Sequence, residues 1–313
     1  MPYDMNPKKI FITALWTLIL YLAGVIPFIG QAVAMLAPVP LIISYVRNGR
    51  LSGIAALGIA CAIVFGLGGW QSAVLLVLFG LMAVGAGEGM LRRMRHESVV
   101  ILGGIPSLAA GVIILVFYYG IGGVDPLSGA ETYLRESISQ VVRIYTELGF
   151  TEAAERVSSI SDRLVFYLTR LIPAFVVSTV LVQSACCYWL ARIIILRREA
   201  GDAGLVRGRF SEWHAPDKWV WGLIAALGLV IIQPHTMKIA GWNILLVFGL
   251  VYTAQGMAVI EYYLIRASLP AFVRGLIFAV LLALPSAVLI PVLGLLDVWA
   301  DFRKVRQPLS PSA

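Results

Sequence analysis

An all-α polytopic transmembrane bundle of eight or nine spans, carrying an amphipathic outer helical hairpin, is the fold class that three observations predict. First, 60% of the residues are hydrophobic and only 13% are charged, where a soluble domain carries roughly 25% charged residues. Mean hydropathy is +0.89, more apolar surface than a core of this size can hide, so lipid is the expected solvent. Second, the apolar runs are long and continuous, whereas a membrane barrel needs alternating strands of about ten residues. Third, arginines and lysines recur at the ends of the runs, as the positive-inside rule requires.

The net charge is +7. The basic residues sit beside apolar spans, so lipid headgroups and topology account for them, and nucleic acid is not an expected partner. Cys61, Cys186 and Cys187 all lie in apolar stretches with no CxxC or Cys/His spacing. No zinc site, disulfide framework or cofactor is expected from them.

Nine apolar segments follow in order: 10–29, 32–46, 51–68, 72–91, 98–120, 164–195, 219–234, 240–266 and 272–298. The opening "MPYDMNPKKIFITALW" has a basic flank, a long apolar run and no small-residue cleavage site, and predicts a retained first span. The second segment carries Pro38 and Pro40, so a broken or tilted span is expected there. Lys8 and Lys9 place the N-terminus in the cytoplasm. Arg47 and Arg50, then Arg92, Arg93 and Arg95, then Arg197, Arg198, Arg207 and Arg209 fall inside after two, four and six spans. Residues 1–195 thus read as a six-span N-terminal bundle, 196–218 as a basic cytoplasmic loop and 219–313 as C-terminal membrane helices with a short tail.

Segment 272–298 has two readings. A kinked full span is favoured by its length. A bent hairpin that re-enters, eased by Pro285 and Pro291, would keep Arg303, Lys304 and Arg306 on the inner side with Arg266 and Arg274.

The segment 122–163 lies outside and carries seven acids and four arginines. Leu134, Ile138, Val141, Tyr145 and Leu148 recur at helical spacing, Ser128 and Glu131 form a capping-box pattern, Gly149 suits a C-cap and Thr151 an N-cap. An amphipathic hairpin results, either a cap over span ends or a lid over a cavity.

Span four reads "LFGLMAVGAGEGMLRRMRH", with Gly85 and Gly89 as a small-residue pair for close helix packing. Glu88 lies among them. A carboxylate at membrane depth is costly, and it either pairs with Arg92 or faces a wet cavity. Gln183, in line with Thr179 and the cysteine pair, and Tyr252 with Gln255 form polar stripes that either line a cavity or bond helices together. Glu88, Gln183, Tyr252 and Gln255 are therefore the candidate substrate-binding residues. No HExxH, GxSxG or phosphate loop occurs, so no enzyme is expected and no catalytic or metal residue is assigned.

The closing "LGLLDVWADFRKVR" sets Asp297 and Asp301 four apart on one helical face, with Lys304 to offset their repulsion. Trp299 suits the headgroup boundary. Asp297, Trp299, Asp301 and Arg303 read as structural or interface residues: a stop at the membrane surface, or a lock in which Asp297 reaches an arginine on another helix.

"GLLDVWADFRK" (294–304) and "AQGMAVIEYYLIR" (254–266), with the early "PFIGQAVAMLAPVPLIISYVRNGRLSGIAALGIA" (27–60), resemble the YybS-like family of bacterial membrane proteins. That family offers no catalytic or ligand residues to carry over. The first 195 residues, with paired prolines followed by Arg47, Gly49 and Gly53, are also similar to substrate-binding subunits of energy-coupling-factor vitamin transporters, which have six spans and end where three further segments follow here. The first hypothesis is a small-solute carrier or substrate-binding membrane subunit, with a cavity between helices lined by Glu88, Gln183, Tyr252 and Gln255. The alternative is a non-transporting scaffold that meets a membrane protein partner through the hairpin or the basic loop.

Overall fold

The structure, a computed structural model, describes residues 6–27, 29–123, 126–198, 208–232 and 235–304. These are helical with no strand among them. Six of the helical stretches are long and apolar enough to cross a membrane: Pro7–Val25, Ile29–Arg47, Arg50–Leu91, His96–Gly120, Thr151–Arg197 and Thr236–Arg266. The chain divides into two compact units, one drawn from 1–172 and 179–206, the other from 173–178 and 207–313.

In the first unit, helix α1 (Pro7–Leu22) starts where Asn6 Oδ1 accepts from the Lys8 amide at 3.0 Å and Pro7 sets the first turn. The second apolar segment is broken, as its prolines lead one to expect. Helices α2 (Ile29–Ala34) and α3 (Pro38–Arg47) flank a turn at 35–37. Pro38 has no amide hydrogen and the Val39 amide bonds Leu36, so the Met35 carbonyl has no helical donor.

Helix α4 (Arg50–Leu91) has 42 residues, about 63 Å if straight and twice a bilayer core. It is not straight. Gly69 has φ 73° and ψ −172°, a conformation open in practice only to glycine. The two limbs fold back on each other, because Leu57 packs on Gly80 and Arg50 pairs with Glu88, both centred on Gly68 and Gly69. Segments 51–68 and 72–91 of the sequence are these limbs.

Helix α5 (His96–Gly122) runs antiparallel to the second limb. Pro106 leaves the Leu102 carbonyl without its helical donor, and Gly85 lies directly on it. A Cβ at Gly85 would stand 2.1 Å from that oxygen. Gly89 faces Val99 on the same side, while Gly87 faces the Tyr45 ring on another. The glycines thus serve two contacts at once.

Helices α6 (Pro126–Glu147) and α7 (Thr151–Arg198) form the expected hairpin. It begins at Pro126, since α5 runs on to Gly122. Pro126 opens α6, so Ser128, expected with Glu131 as a cap, lies inside its first turn rather than before it. The other end fits expectation: Gly149 has φ 81°, its amide bonds the Thr146 carbonyl at 3.1 Å, and the Phe150 amide bonds that of Tyr145 at 2.8 Å. The Phe150 ring then meets Tyr145 edge-on, completing a Schellman cap. Thr151 is already helical, so Phe150 rather than Thr151 precedes the helix.

In the second unit, α8 (Trp219–Ile231) lies antiparallel to the first half of α9 (His235–Arg266), with Gly222 on Phe248 and Gly241 on Ala226. Helices α10 (Ala271–Ala283) and α11 (Leu289–Ala300) are joined by a tight turn at Pro285–Val288. Helix α11 crosses α9 at two glycines. A Cβ at Gly256 would be 2.1 Å from the Ile290 carbonyl, and one at Gly294 2.0 Å from that of Tyr252. Each glycine rests on the carbonyl four residues before the other.

The direction of α11 follows from its end. Tyr263 Oη donates to the Phe302 carbonyl at 3.0 Å, so α9 and α11 finish together and run parallel. Arg274 at the start of α10 pairs with Glu261 at that same end, 2.8 Å apart. The chain therefore leaves along α10, turns, and comes back along α11. This is the returning form of segment 272–298 and not the kinked full span that its length favours. Two helices of 13 and 12 residues are each about 20 Å long, short of a bilayer core.

Candidate functional site

The closing cluster builds an enclosed polar site in the second unit. Asp301 has φ 39°, a left-handed residue that ends α11 at Ala300 and turns the chain under itself. The turn brings Arg303 back to Asp297. Arg303 Nη2 donates to Asp297 Oδ2 at 2.7 Å. Asp297 is 1% exposed and Arg303 4%. The other carboxylate oxygen accepts from the Phe302 amide at 3.1 Å.

Gln255 of α9 completes the site. Fully buried, it donates through Nε2 to Asp297 Oδ2 at 3.1 Å and accepts from the Ala215 amide at 3.1 Å. Arg303 Nη1 donates to the carbonyls of Ser211 and Trp213, at 2.7 and 3.0 Å. Residues 211–215 are thus stitched down from two sides, with Ser211 and Ala215 buried. Within the segment read as a basic loop, 196–198 end α7 and 210–212 form a short 3-10 turn held in this junction. Residues 199–207, Arg207 among them, lie outside the described residues.

The remaining members are divided. Tyr252 is buried among Val220 and Val298 as a core residue, and its hydroxyl has no hydrogen-bond partner among the described residues. Trp299 is 66% exposed. Asp301 stands beyond the helix end, so the expected sharing of a face with Asp297 does not occur. Nor is the arginine that Asp297 meets on another helix; it is six residues along its own chain.

Glu88 and Gln183 belong to the first unit, so no one unit gathers the four candidate binding residues. Glu88 accepts from Arg50 Nε and Nη2 at 2.8 and 2.9 Å, from Arg92 Nε at 2.8 Å and from Tyr45 Oη at 3.2 Å. The arginines are 47% and 68% exposed, so this cluster opens to the surface. Gln183 Nε2 donates to the Met35 carbonyl at 3.0 Å and Cys187 Sγ meets the same oxygen at 3.2 Å. They supply the donors that the Pro38 break removes. In the second unit Asn243 Oδ1 plays the opposite part, accepting from the Ala174 amide beside Pro173 at 3.0 Å.

Around Tyr45, the space between Leu41, Gly53, Leu57, Gly80, Ala83 and Val84 amounts to ≈ 160 Å³ of interstices, none wide enough for a water molecule. Among the described residues no cluster of three His, Cys, Asp or Glu side chains has metal-binding geometry.

Sequence reasoning missed Arg50, Tyr45, Arg274, Gly256, Gly294 and the 211–215 backbone. For Arg50 a signal existed: a hairpin centred on Gly68 and Gly69 pairs residue 50 with 88. For Arg274 there was none, since its meeting with Glu261 depends on the return of α10.

A family model described as Predicted membrane protein (DUF2232) matches residues 14–298. The chain is similar to Uncharacterized protein YybS of Bacillus subtilis (strain 168), 23% identical over 303 residues, which cover 93% of this chain and 94% of that protein. No solved structure matches it.

Proposed function

The chain belongs to the DUF2232 family of predicted membrane proteins, and we propose that it serves in the bilayer as a non-transporting scaffold or assembly partner. One observation carries the reading. Three of the four candidate cavity residues, Glu88, Gln183 and Gln255, bond their own chain, and the fourth, Tyr252, sits in an apolar core. Buried polar groups fixed in this way rigidify a bundle. A solute site needs such groups turned into an open pocket. With its polar residues in structural bonds, the chain is assigned no catalysed reaction.

The reading includes a topology of eight crossings. Each limb of α4 crosses once, α8 and α9 cross once each, and α10 with α11 re-enters. Lys8 and Lys9, Arg47 and Arg50, Arg92 to Arg95, Arg197, Arg266 and Arg274, and Arg303 and Lys304 then share one side. By the positive-inside rule that side is the cytoplasm of a bacterial cytoplasmic membrane, with the N-terminus in it.

A melting screen of the purified protein against vitamins, amino acids, nucleosides and lipids tests the reading. A ligand at a hundred times its Kd stabilises by about 2.7 kcal/mol, an easily read rise in Tm. We expect no small solute to produce one. A solute that raises Tm in the wild type but not in Gln255→Leu or Glu88→Gln would establish the carrier reading instead.

A further inference from the structure

We propose that one face of the α6–α7 hairpin pairs with the same face of a second copy of this chain. The inference deepens the assembly reading by naming a partner. The two helices face each other through Ile138 and Val142 on α6 and Val165 on α7, around a cleft of ≈ 250 Å³. Arg135 Nη1 bonds Asp162 at 2.6 Å and fixes the register.

Each helix carries a second apolar stripe that this contact leaves uncovered. On α6 it comprises Val141, Ile144 and Leu148, and on α7 Ile160, Leu164 and Tyr167, all exposed. Leu148 is 63% exposed and Ile144 50%. At 100° per residue the stripe lies about 110° from the facing surface on α6 and about 130° on α7, in the same rotational sense about its own axis. In an antiparallel pair this brings both stripes to one side. The hairpin therefore has one broad apolar face and one polar face.

Charge chooses the occupant. Segment 122–163 has seven acids, four arginines and no lysine. An anionic lipid surface repels that balance, and helices that lie on membranes carry the opposite one. Another copy is complementary instead. Glu136 and Glu147 border the stripe of α6, while Arg156 and Arg163 border that of α7. Two copies inserted with the same orientation are related by a two-fold along the membrane normal. That axis sets each α6 against the partner's α7 at equal height. Glu136 then meets the partner's Arg163, and Glu147 the partner's Arg156. Glu136, Glu147 and Arg163 form no ion pair among the described residues, and Arg156 pairs only with exposed Glu152.

Energy transfer between donor- and acceptor-fused copies of the full chain in lipid vesicles tests the pairing. The wild type should transfer. Ile144→Asp should weaken association about tenfold, the effect of ~1.4 kcal/mol. Glu136→Arg and Arg163→Glu should each weaken it, and the double exchange should restore it. No transfer in the wild type, an unaffected Ile144→Asp, or a double exchange no better than either single overturns the proposal. A solute that raises Tm contradicts the scaffold reading and leaves this test standing. Lost pairing alone contradicts only the partner named here.

Discussion

Arg303 bonds Asp297 at 2.7 Å, six residues back along the same chain, and both side chains are sealed from solvent. Two facing charges at this depth are costly to separate. Removing one partner strands the other, at about 3–5 kcal/mol. Asp297→Ala and Arg303→Ala should each cost that much in denaturation experiments in detergent. The double variant should cost clearly less than their sum, since neither charge is then left alone.

The α9–α11 crossing depends on backbone contact at two glycines. Gly256→Ala or Gly294→Ala places a methyl within 2.1 Å of a carbonyl oxygen and should cost about 1–3 kcal/mol, as overpacking does. Gly249→Ala is the control. Nothing lies within 4 Å of its Cβ position, and the gain in helix propensity should leave stability unchanged or raise it by up to about 1 kcal/mol. Melting all three in one detergent decides the matter.

Gln183 serves a carbonyl orphaned by Pro38. Gln183→Leu keeps the volume and removes the donor, leaving the Met35 oxygen only the weak Cys187 thiol. The expected loss is about 1 kcal/mol, the low end for an unsatisfied buried group. Gln183→Leu with Cys187→Ala should lose more than either change alone, as thermal melts would read.

Glu88 is the contrasting case. Its arginines are half exposed or more, so water takes over much of what Glu88→Gln removes. A cost of roughly 1 kcal/mol or less is expected, shrinking further as salt is added. Equal losses for Glu88→Gln and Asp297→Ala would contradict the account of both sites.

Much of this fold was legible where a residue's own covalent geometry decides the outcome. Pro38 and Pro40 break the second span, Gly68 and Gly69 divide two segments that prove to be limbs of one hinge, and Gly149 ends α6. The site was less legible. Gln183 and Met35 are 148 residues apart, and no local pattern announces that a carbonyl will lack its donor there. The turn that delivers Arg303 to Asp297 uses a left-handed aspartate, where a reader of sequence looks for glycine. The arginines at the chain's end pointed to a returning hairpin and the segment's length to a single crossing. Geometry sides with the charges.

That return is the claim on which the account turns: α11 comes back to the end of α9 from which α10 departed. It is measured most directly by the sidedness of the two termini in whole bacteria, using a reporter active only in the cytoplasm fused at each in turn. The account predicts activity from both fusions. A cytoplasmic N-terminus with a C-terminus reached only from outside would contradict it.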